Sequence, residues 1–314
     1  MGEEISNTVA AAWGLMAMCA MDMYRVNVNN LAPAPADLLK KDGWQIRAYI
    51  IGKDHLPFKK GPLLIAEHEV CYGYVAERNG IWTAVIRGTD GLIEWIEDAE
   101  FLPALYMSQI KLPPGPQNAK VEQGFWSIYS TMQLTSPTGE RLGDLANEIA
   151  KLVPGGDKIT AVGHSLGAAL ATYLALDLAR GPLGARVSAC LFASPHPGNQ
   201  DFVLYFDRTV ANYRLLNYAL DVVPRVPLGP DYAPLPKRTV IQPTTAEASI
   251  KLDVECNHHV ICYCAMLDYE ETKDATTPVP AGEEGSASCV VGPEVGRPSL
   301  AKLLLSAVGG VVPV

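Results

Sequence analysis

The stretch KITAVGHSLGAALATYLALDLA, which runs from Lys158 to Ala179, sets a serine between two kinds of regular structure. Its first residues form a short apolar run typical of a buried strand, and the residues after Ser165 have helical spacing. Glycine stands two positions before the serine and again two positions after it. The pattern therefore predicts a strand over Lys158–Val162, a helix over Ser165–Ala179 and a tight turn between them.

Strand and helix patterns alternate on both sides of this stretch. Further strands are predicted at Trp44–Ile51, Glu69–Ala76, Ile81–Arg87, Arg186–Phe192 and Asn212–Tyr218. Further helices are predicted at Thr8–Arg25, Phe125–Met132, Leu142–Leu152 and Asp201–Phe206. Strands that alternate with helices pair in parallel, and the helices then cover both faces of the sheet. The sequence predicts an α/β fold with a mainly parallel central sheet flanked by helices.

Composition and charge narrow the class of protein. We predict one domain over residues 1–314, with an irregular Gly- and Pro-rich extension from about residue 270 and a short helix at Ser299–Val308. A net charge of −9 without a Lys/Arg cluster argues against a nucleic-acid partner. The apolar N-terminal stretch is too short and interrupted for a transmembrane segment. It also lacks the positive start of a signal peptide, so the chain is expected to be cytoplasmic or the mature form of a secreted protein.

A G-x-S-x-G sequence between a strand and a helix is typical of the nucleophile elbow of α/β hydrolases. The sharp turn lifts the serine hydroxyl above the sheet edge, and glycines on both sides remove side chains that would collide. The helix that follows presents backbone N–H groups where negative charge develops during acyl transfer. Ser165 is therefore the predicted nucleophile.

A serine hydroxyl becomes reactive when a histidine takes its proton and an acid orients that histidine. In this fold the expected order along the chain is serine, acid, histidine. Asp221 follows an apolar strand directly and is the predicted acid, with Asp231 as a weaker alternative deeper in the next loop. The histidines after the serine are His196, His258 and His259.

The motifs VIRGTDGLIEWIEDAEFLP, VEQGF, AVGHSLGAALA, SPHPGNQDF and LDVVPRVP occur in this order between about Ile81 and Tyr263. In these motifs the chain resembles the class 3 lipases, the fungal-lipase-like branch of the α/β hydrolases. The resemblance implies that Thr89, in the R-G-T turn, and Leu166, after the nucleophile, supply the two oxyanion N–H groups. The chain differs from the family pattern at two positions, where Glu122 replaces a frequent histidine and His196 replaces a frequent arginine. His196 is therefore not expected to be the base.

The resemblance also implies a short helical lid over Gly91–Phe101. Its predicted apolar face consists of Leu92, Ile93, Trp95 and Ile96, and acidic residues alternate with these positions. A helix of this kind can cover an apolar cleft and roll aside at a lipid surface. Transient contact with a lipid interface through the lid is therefore expected.

The segment CNHHVICYCAML leaves the base open between two neighbouring histidines. Counting from His258 places Tyr263 as in the bacterial and plant pattern HSMxxYxxxL, whereas counting from His259 comes closer to the fungal pattern HLxYF. We favour His258 and keep His259 as the alternative. Zinc ligation is a further alternative, through Cys256, His258, His259, Cys262 and Cys264. The last two cysteines would fall on different sides of a helix, so buried cysteines beside one functional histidine are the preferred interpretation.

These residues predict a serine hydrolase that acts through an acyl-enzyme intermediate, and the resemblance implies a carboxylic-ester hydrolase of the triacylglycerol-lipase type acting on acyl-ester lipids. The chemistry requires no cofactor and no metal. A feruloyl-type esterase, a phospholipase A1 and an acyltransferase would share the same triad and differ in the cleft. A non-catalytic ligand-binding module on the same fold is the alternative from another functional class. The seven cysteines show no framework spacing, although one disulfide remains compatible with the count.

Overall fold

The computed structural model describes residues 4–53, 68–89, 101–109, 115–275 and 289–293. The helices in these ranges are α1 (Asn7–Val26), α2 (Asp37–Lys41), α3 (Gln123–Thr131), α4 (Leu145–Leu152), α5 (Leu166–Arg180), α6 (Gln200–Thr209), α7 (Val254–His258), α8 (Val260–Leu267) and α9 (Tyr269–Thr272). The strands are β1 (Gln45–Lys53), β2 (Glu69–Arg78), β3 (Ile81–Ile86), β4 (Pro103–Leu105), β5 (Lys120–Glu122), β6 (Gln133–Thr135), β7 (Arg141–Asp144), β8 (Lys158–His164), β9 (Val187–Phe192), β10 (Asn212–Tyr218), β11 (Arg238–Ile241), β12 (Ala248–Ile250) and β13 (Val290–Pro293).

Nine of these strands form one sheet in the order β11-β10-β9-β8-β3-β2-β1-β6-β7. From β3 to β11 the neighbours pair in parallel, and from β3 to β7 they pair antiparallel. The strand that ends at the serine lies inside the parallel half. Helices cover both faces, which confirms the predicted α/β-hydrolase fold. The sheet, predicted to be mainly parallel, is mixed, because four of its eight strand pairings are antiparallel.

The two faces of the sheet carry separate apolar clusters. One cluster joins α3, α4, α5 and α6 to the sheet, and the other joins α1 and α8 to the opposite face. Helix α5 is buried along almost its whole length, and its alanines at 168 and 169 are fully buried against the sheet. Small side chains there let α5 pack close to β8, the strand that precedes it in the chain.

Most predicted elements are confirmed within a few residues, but one helix begins later than its sequence pattern indicates. The helix predicted at Leu142–Leu152 starts at Leu145, and the residues before it form β7. Gly143 adopts φ +138, which a right-handed helix cannot include. Asp144 is extended and lies at the N-cap, so the apolar Leu142 belongs to a sheet-edge strand.

Part of the predicted irregular extension has regular structure. Strand β13 returns from it to pair antiparallel with β12, and Cys289 forms a disulfide with Cys256. The helix predicted at Ser299–Val308 lies outside the described residues. Among the helices that are described, none combines the length and the apolar character needed to span a bilayer.

Candidate active site

The turn around Ser165 explains why glycine flanks the serine. Strand β8 ends at His164, helix α5 begins at Leu166, and the serine between them adopts φ 60 and ψ −132. A methyl group on Gly163 would lie 2.2 Å from the carbonyl oxygen of Gly167, and one on Gly167 would lie 2.2 Å from that of Ile86. Both distances are far below van der Waals contact, so the backbones approach closely enough to require glycine.

The backbone of Ser165 is strained, since its φ is positive. A positive φ at a non-glycine residue costs about 1–3 kcal/mol and persists only where the surroundings enforce it. The amide of Ser165 donates to the carbonyl of Phe192 at 2.9 Å, which anchors the turn to β9. Its hydroxyl is buried and has no hydrogen-bond partner among the described residues.

Asp221 lies just past the carboxyl end of β10 and is almost fully buried. One carboxylate oxygen accepts from His258 Nδ1 at 2.8 Å and from the Tyr263 hydroxyl at 2.7 Å. The other oxygen accepts from the amide of Val223 at 2.9 Å. Three donors therefore fix this carboxylate, whereas Asp231, the alternative acid, is solvent-exposed.

Of the two neighbouring histidines, the structure places His258 against the acid. His258 ends α7, is buried, and its Nε2 has no hydrogen-bond partner within the described part of the chain. His259 separates α7 from α8 with the non-helical angles φ −59 and ψ 132. Its side chain therefore does not continue the helical arrangement that ends at His258. Burial, then the neighbouring His258 and Arg25, lower the pKa of His259 to about 4.

His164, which precedes the nucleophile, connects the elbow to His258. Its Nε2 donates to the backbone carbonyl of His258 at 2.7 Å, and the two ring centroids are 4.5 Å apart. Burial, followed by the nearby His258, holds the pKa of His164 well below its usual value, so the ring is neutral. Sequence reasoning missed this residue, although it belongs to the elbow motif itself.

Tyr263 is the second residue that sequence reasoning missed in its role. In the family patterns it serves only to align the histidine, whereas in the structure its hydroxyl donates to Asp221 and accepts from the amide of Tyr218 at 2.8 Å. Its position five residues after His258 was the available signal. The hydroxyl joins the acid to the strand that carries it.

The R-G-T turn lies beside the serine. A methyl group on Gly88 would lie 3.1 Å from Ser165 Cβ and 3.6 Å from its hydroxyl oxygen. Thr89 follows directly, and Leu166 is the first residue of α5. The two residues predicted to supply oxyanion N–H groups therefore flank the same serine. The predicted lid residues Leu92, Ile93, Trp95 and Ile96 lie outside the described residues.

The residues that depart from the family pattern have structural partners. Glu122 is buried and accepts from the amide of Phe125 at 2.7 Å, which caps α3, while burial raises its pKa. His196 donates from Nδ1 to the carbonyl of Pro227 at 3.0 Å. Neither side chain is paired with Asp221.

The cysteine and histidine cluster considered for zinc does not assemble. Cys256 is bonded to Cys289, while Cys262 and Cys264 are buried thiols on α8. Burial raises the pKa of Cys262 to about 12 and that of Cys264 well above its usual value, so neither is a ready thiolate ligand. Within the described ranges, no group of three or more His, Cys, Asp or Glu side chains could hold a metal ion.

Known proteins resemble this chain in sequence over part of its length. The family model for Lipase (class 3) matches residues 83–230. Phospholipase A1-II 6 of Oryza sativa subsp. japonica is 35% identical over 166 residues, which cover 46% of this chain and 40% of that protein. The chloroplastic phospholipase A(1) DAD1 of Arabidopsis thaliana is 30% identical over 226 residues, which cover 60% of this chain and 47% of that protein. The chain thus spans less than half the length of these relatives.

Solved structures share the fold. The MDLA mutant from Penicillium cyclopium superposes with a TM-score of 0.53 at 21% identity, covering 78% of this chain and 83% of that one. Lipase II from Rhizopus niveus gives a TM-score of 0.52 at 21% identity, covering 74% and 79%. These likenesses establish the α/β-hydrolase fold. Over residues 83–230 the chain is similar to the class 3 lipases in sequence, and the fold of the described residues agrees with that similarity.

Proposed function

We propose that the protein is a serine carboxylic-ester hydrolase that cleaves acyl-ester lipids, with Ser165 as nucleophile, His258 as base and Asp221 as orienting acid. One observation carries the proposal. Among the described residues, Ser165 Oγ and His258 Nε2 are both buried without a hydrogen-bond partner, while the opposite ring nitrogen of His258 is bound to Asp221. Buried unpaired polar atoms are costly, and functional sites are where proteins retain them.

The hydrogen bond to Asp221 determines which nitrogen of His258 can act. A carboxylate only accepts, so Nδ1 carries the proton and Nε2 presents its lone pair as the base. In the first step Nε2 takes the hydroxyl proton while Ser165 Oγ bonds to the ester carbonyl carbon. The imidazolium that forms is stabilised by Asp221, which three donors already hold in place.

Charge in the tetrahedral intermediate collects on the former carbonyl oxygen. The N–H groups of Thr89 and Leu166 are the proposed donors to this oxygen, and loss of one such donor costs about 10²–10³ in turnover. Collapse of the intermediate breaks the ester C–O bond, and His258 returns its proton to the departing alcohol. Water then attacks the acyl-enzyme by the reverse sequence and releases the carboxylic acid.

The neutral state of His164 assists this cycle. Its ring lies 4.5 Å from that of His258, so a charge on it would oppose formation of the imidazolium. Burial keeps the pKa of His164 far below its usual value, and the ring therefore stays uncharged at neutral pH. The base can thus become positive without a like charge beside it.

The proposed substrate class is inferred from the relatives rather than from the cleft. The matched plant proteins carry the name phospholipase A1, whereas the solved neighbour from Rhizopus niveus carries the name lipase. A glycerolipid ester is the shared chemistry, and the higher sequence identity of the plant proteins favours phospholipase A1 as the second candidate. Contact with a lipid surface through the predicted lid is part of this proposal.

The test is hydrolysis of 4-nitrophenyl esters with acyl chains of increasing length by the wild type and Ser165→Ala. We expect turnover in the wild type and none above background in the variant. Phosphatidylcholine vesicles and triacylglycerol emulsions then separate the two glycerolipid activities. A wild type without turnover on any ester would favour a ligand-binding module, and activity that survives in Ser165→Ala would place the nucleophile elsewhere.

A further inference from the structure

Arg87, in the turn between β3 and the predicted lid, is an arginine buried to 2% exposure beside the proposed nucleophile. Its guanidinium lies 3.5 Å from the ring centroid of Tyr24 and 4.7 Å from that of Tyr72. One of its nitrogens, Nη2, is buried and has no hydrogen-bond partner among the described residues. Because a buried cation needs electrostatic compensation, the two aromatic faces supply part of it.

The other guanidinium nitrogens bind backbone carbonyls on two separate segments. Nε donates to the carbonyl of Cys71 at 2.9 Å, and Nη1 donates to that of Gly88 at 2.7 Å. The amide of Arg87 also donates to the carbonyl of Tyr72 at 2.8 Å. The side chain therefore joins strand β2 to the R-G-T turn.

The carbonyl of Gly88 belongs to the same peptide group as the N–H of Thr89. This peptide is trans, because Val226–Pro227 is the cis bond found among the described residues. In a planar trans peptide the C=O and the N–H point in opposite directions. A donor that fixes the Gly88 oxygen therefore fixes the direction of the Thr89 N–H on the other side.

We propose that Arg87 is a positioning residue that aims the Thr89 N–H at the oxyanion. The assignment rests on the proposed hydrolase function and on Thr89 as an oxyanion donor. A charged donor on the Gly88 oxygen also polarises the peptide and strengthens its N–H as a donor. Arg87 thus sets both the aim and the strength of one oxyanion contact without touching substrate.

Tyr24 gives helix α1 a part in this arrangement. It lies in the last turns of α1, outside the segment matched by the family model, and packs its ring on the guanidinium. Without that ring, the guanidinium loses a flat apolar surface that holds its plane. Tyr24, which is far from Arg87 in the chain, therefore holds the guanidinium in place by stacking on it.

Arg78 offers a matched control because it makes the same kinds of contact elsewhere. Its guanidinium lies 4.6 Å from the Trp44 ring centroid and donates to the carbonyl of Asp42 at 3.1 Å. Arg78 pairs with Ile81, which in turn pairs with Lys158 at the start of β8. It therefore lies at the edge of the sheet opposite Ser165.

The experiment compares Arg87→Met, Arg87→Lys, Tyr24→Leu and Arg78→Met with the wild type on a short soluble 4-nitrophenyl ester. We expect Arg87→Met to lower kcat about 10²-fold with little change in KM, because the interaction is made in the transition state. Arg87→Lys should lose roughly tenfold, since an ammonium cannot bind both carbonyls and stack. The kcat of Tyr24→Leu should lie between that of the lysine variant and that of the wild type.

A second readout separates positioning from folding. An alkylboronic acid forms a tetrahedral adduct on the serine. In the Arg87 variants its inhibition constant should rise by about the same factor by which kcat falls. Arg78→Met should lower the melting temperature and leave both values unchanged. If Arg87→Met does not fold, the lysine and Tyr24 variants decide the question by the same two readouts.

Two results would overturn the assignment. One is an unchanged kcat and boronate affinity in the folded Arg87 variants, with only the melting temperature reduced. The other is an equal loss of kcat in Arg78→Met. A wild type that lacks turnover would instead show that the proposed function is wrong, and the role of Arg87 would be wrong with it.

Discussion

His164 donates its Nε2 proton to the backbone carbonyl of His258 at 2.7 Å, although 94 positions separate them in the chain. One partner precedes the proposed nucleophile and the other is the proposed base. The bond therefore fixes the elbow of β8 against the end of α7 through a single side chain. Because a carbonyl only accepts, the bond also determines that the His164 proton is on Nε2.

Alanine substitutions at the two adjacent histidines should have very different effects. His258→Ala removes the group bound to Asp221, so we expect turnover to fall at least about 10³-fold. His259→Ala should retain turnover within roughly fivefold of the wild type, because no hydrogen bond joins its ring to the acid. Initial rates on a soluble ester measure both effects. The reverse ranking would move the base to His259.

Tyr263→Phe removes the hydroxyl that donates to Asp221 and accepts from the amide of Tyr218. We expect kcat to fall roughly tenfold, since hydrogen bonds to charged groups are among the stronger ones. Tyr213→Phe is the matched control, because that hydroxyl donates to Asp207 at 2.9 Å and accepts from the amide of Lys237 at 3.1 Å. Equal kcat losses in both variants would contradict a role for Tyr263 in orienting the acid.

The free energy of unfolding should fall as the pH drops below 6.5. Burial lowers the pKa of His259 from 6.5 to about 4, so its proton binds more tightly in the unfolded chain. Acid therefore favours unfolding through the window from pH 6.5 to about 4, and stability is intact above it. His164 acts in the same direction, because burial lowers its pKa as well.

His259→Gln tests the size of this contribution. Each unit of pKa difference corresponds to about 1.4 kcal/mol, and partial exposure reduces the effect, so we expect about 1–3 kcal/mol at the acid end. Urea unfolding of wild type and variant at a series of pH values measures it. Parallel stability curves for the two proteins would show that His259 is not responsible.

The disulfide between Cys256 and Cys289 should stabilise the C-terminal part of the fold. It links residues 33 positions apart, and bridges of this kind contribute about 2–4 kcal/mol, largely through the unfolded chain. We expect a reductant to lower the melting temperature of the wild type. The double variant Cys256→Ser with Cys289→Ser should melt at that lower temperature, and the reductant should not change its melting temperature. Identical melting of all four samples would exclude the contribution.

The elbow could be predicted because its determinants are local. An apolar run, flanking glycines and a following helix pattern all lie within the stretch from Lys158 to Ala179. Asp221 could be predicted for a similar reason, since it follows an apolar strand whose end lies at the same sheet edge as Ser165. Local pattern and backbone geometry agree at these positions.

The remaining parts of the site depend on contacts between distant segments. His258 and His259 have nearly equivalent patterns, and only the break between α7 and α8 places the first against Asp221. The partner of Cys256 could not be chosen from seven cysteines, because sequence does not determine connectivity. Tyr24 reaches Arg87 only through the packing of α1 against the sheet.

The backbone of Ser165 implies a conflict between reactivity and robustness. At φ 60 and ψ −132 a side chain of any kind is disfavoured, and glycine would adopt the same angles without steric strain. Ser165→Gly should therefore yield a protein that is harder to unfold and chemically inert. The reactive hydroxyl therefore lies at a position of the turn where selection for conformational stability alone would favour glycine.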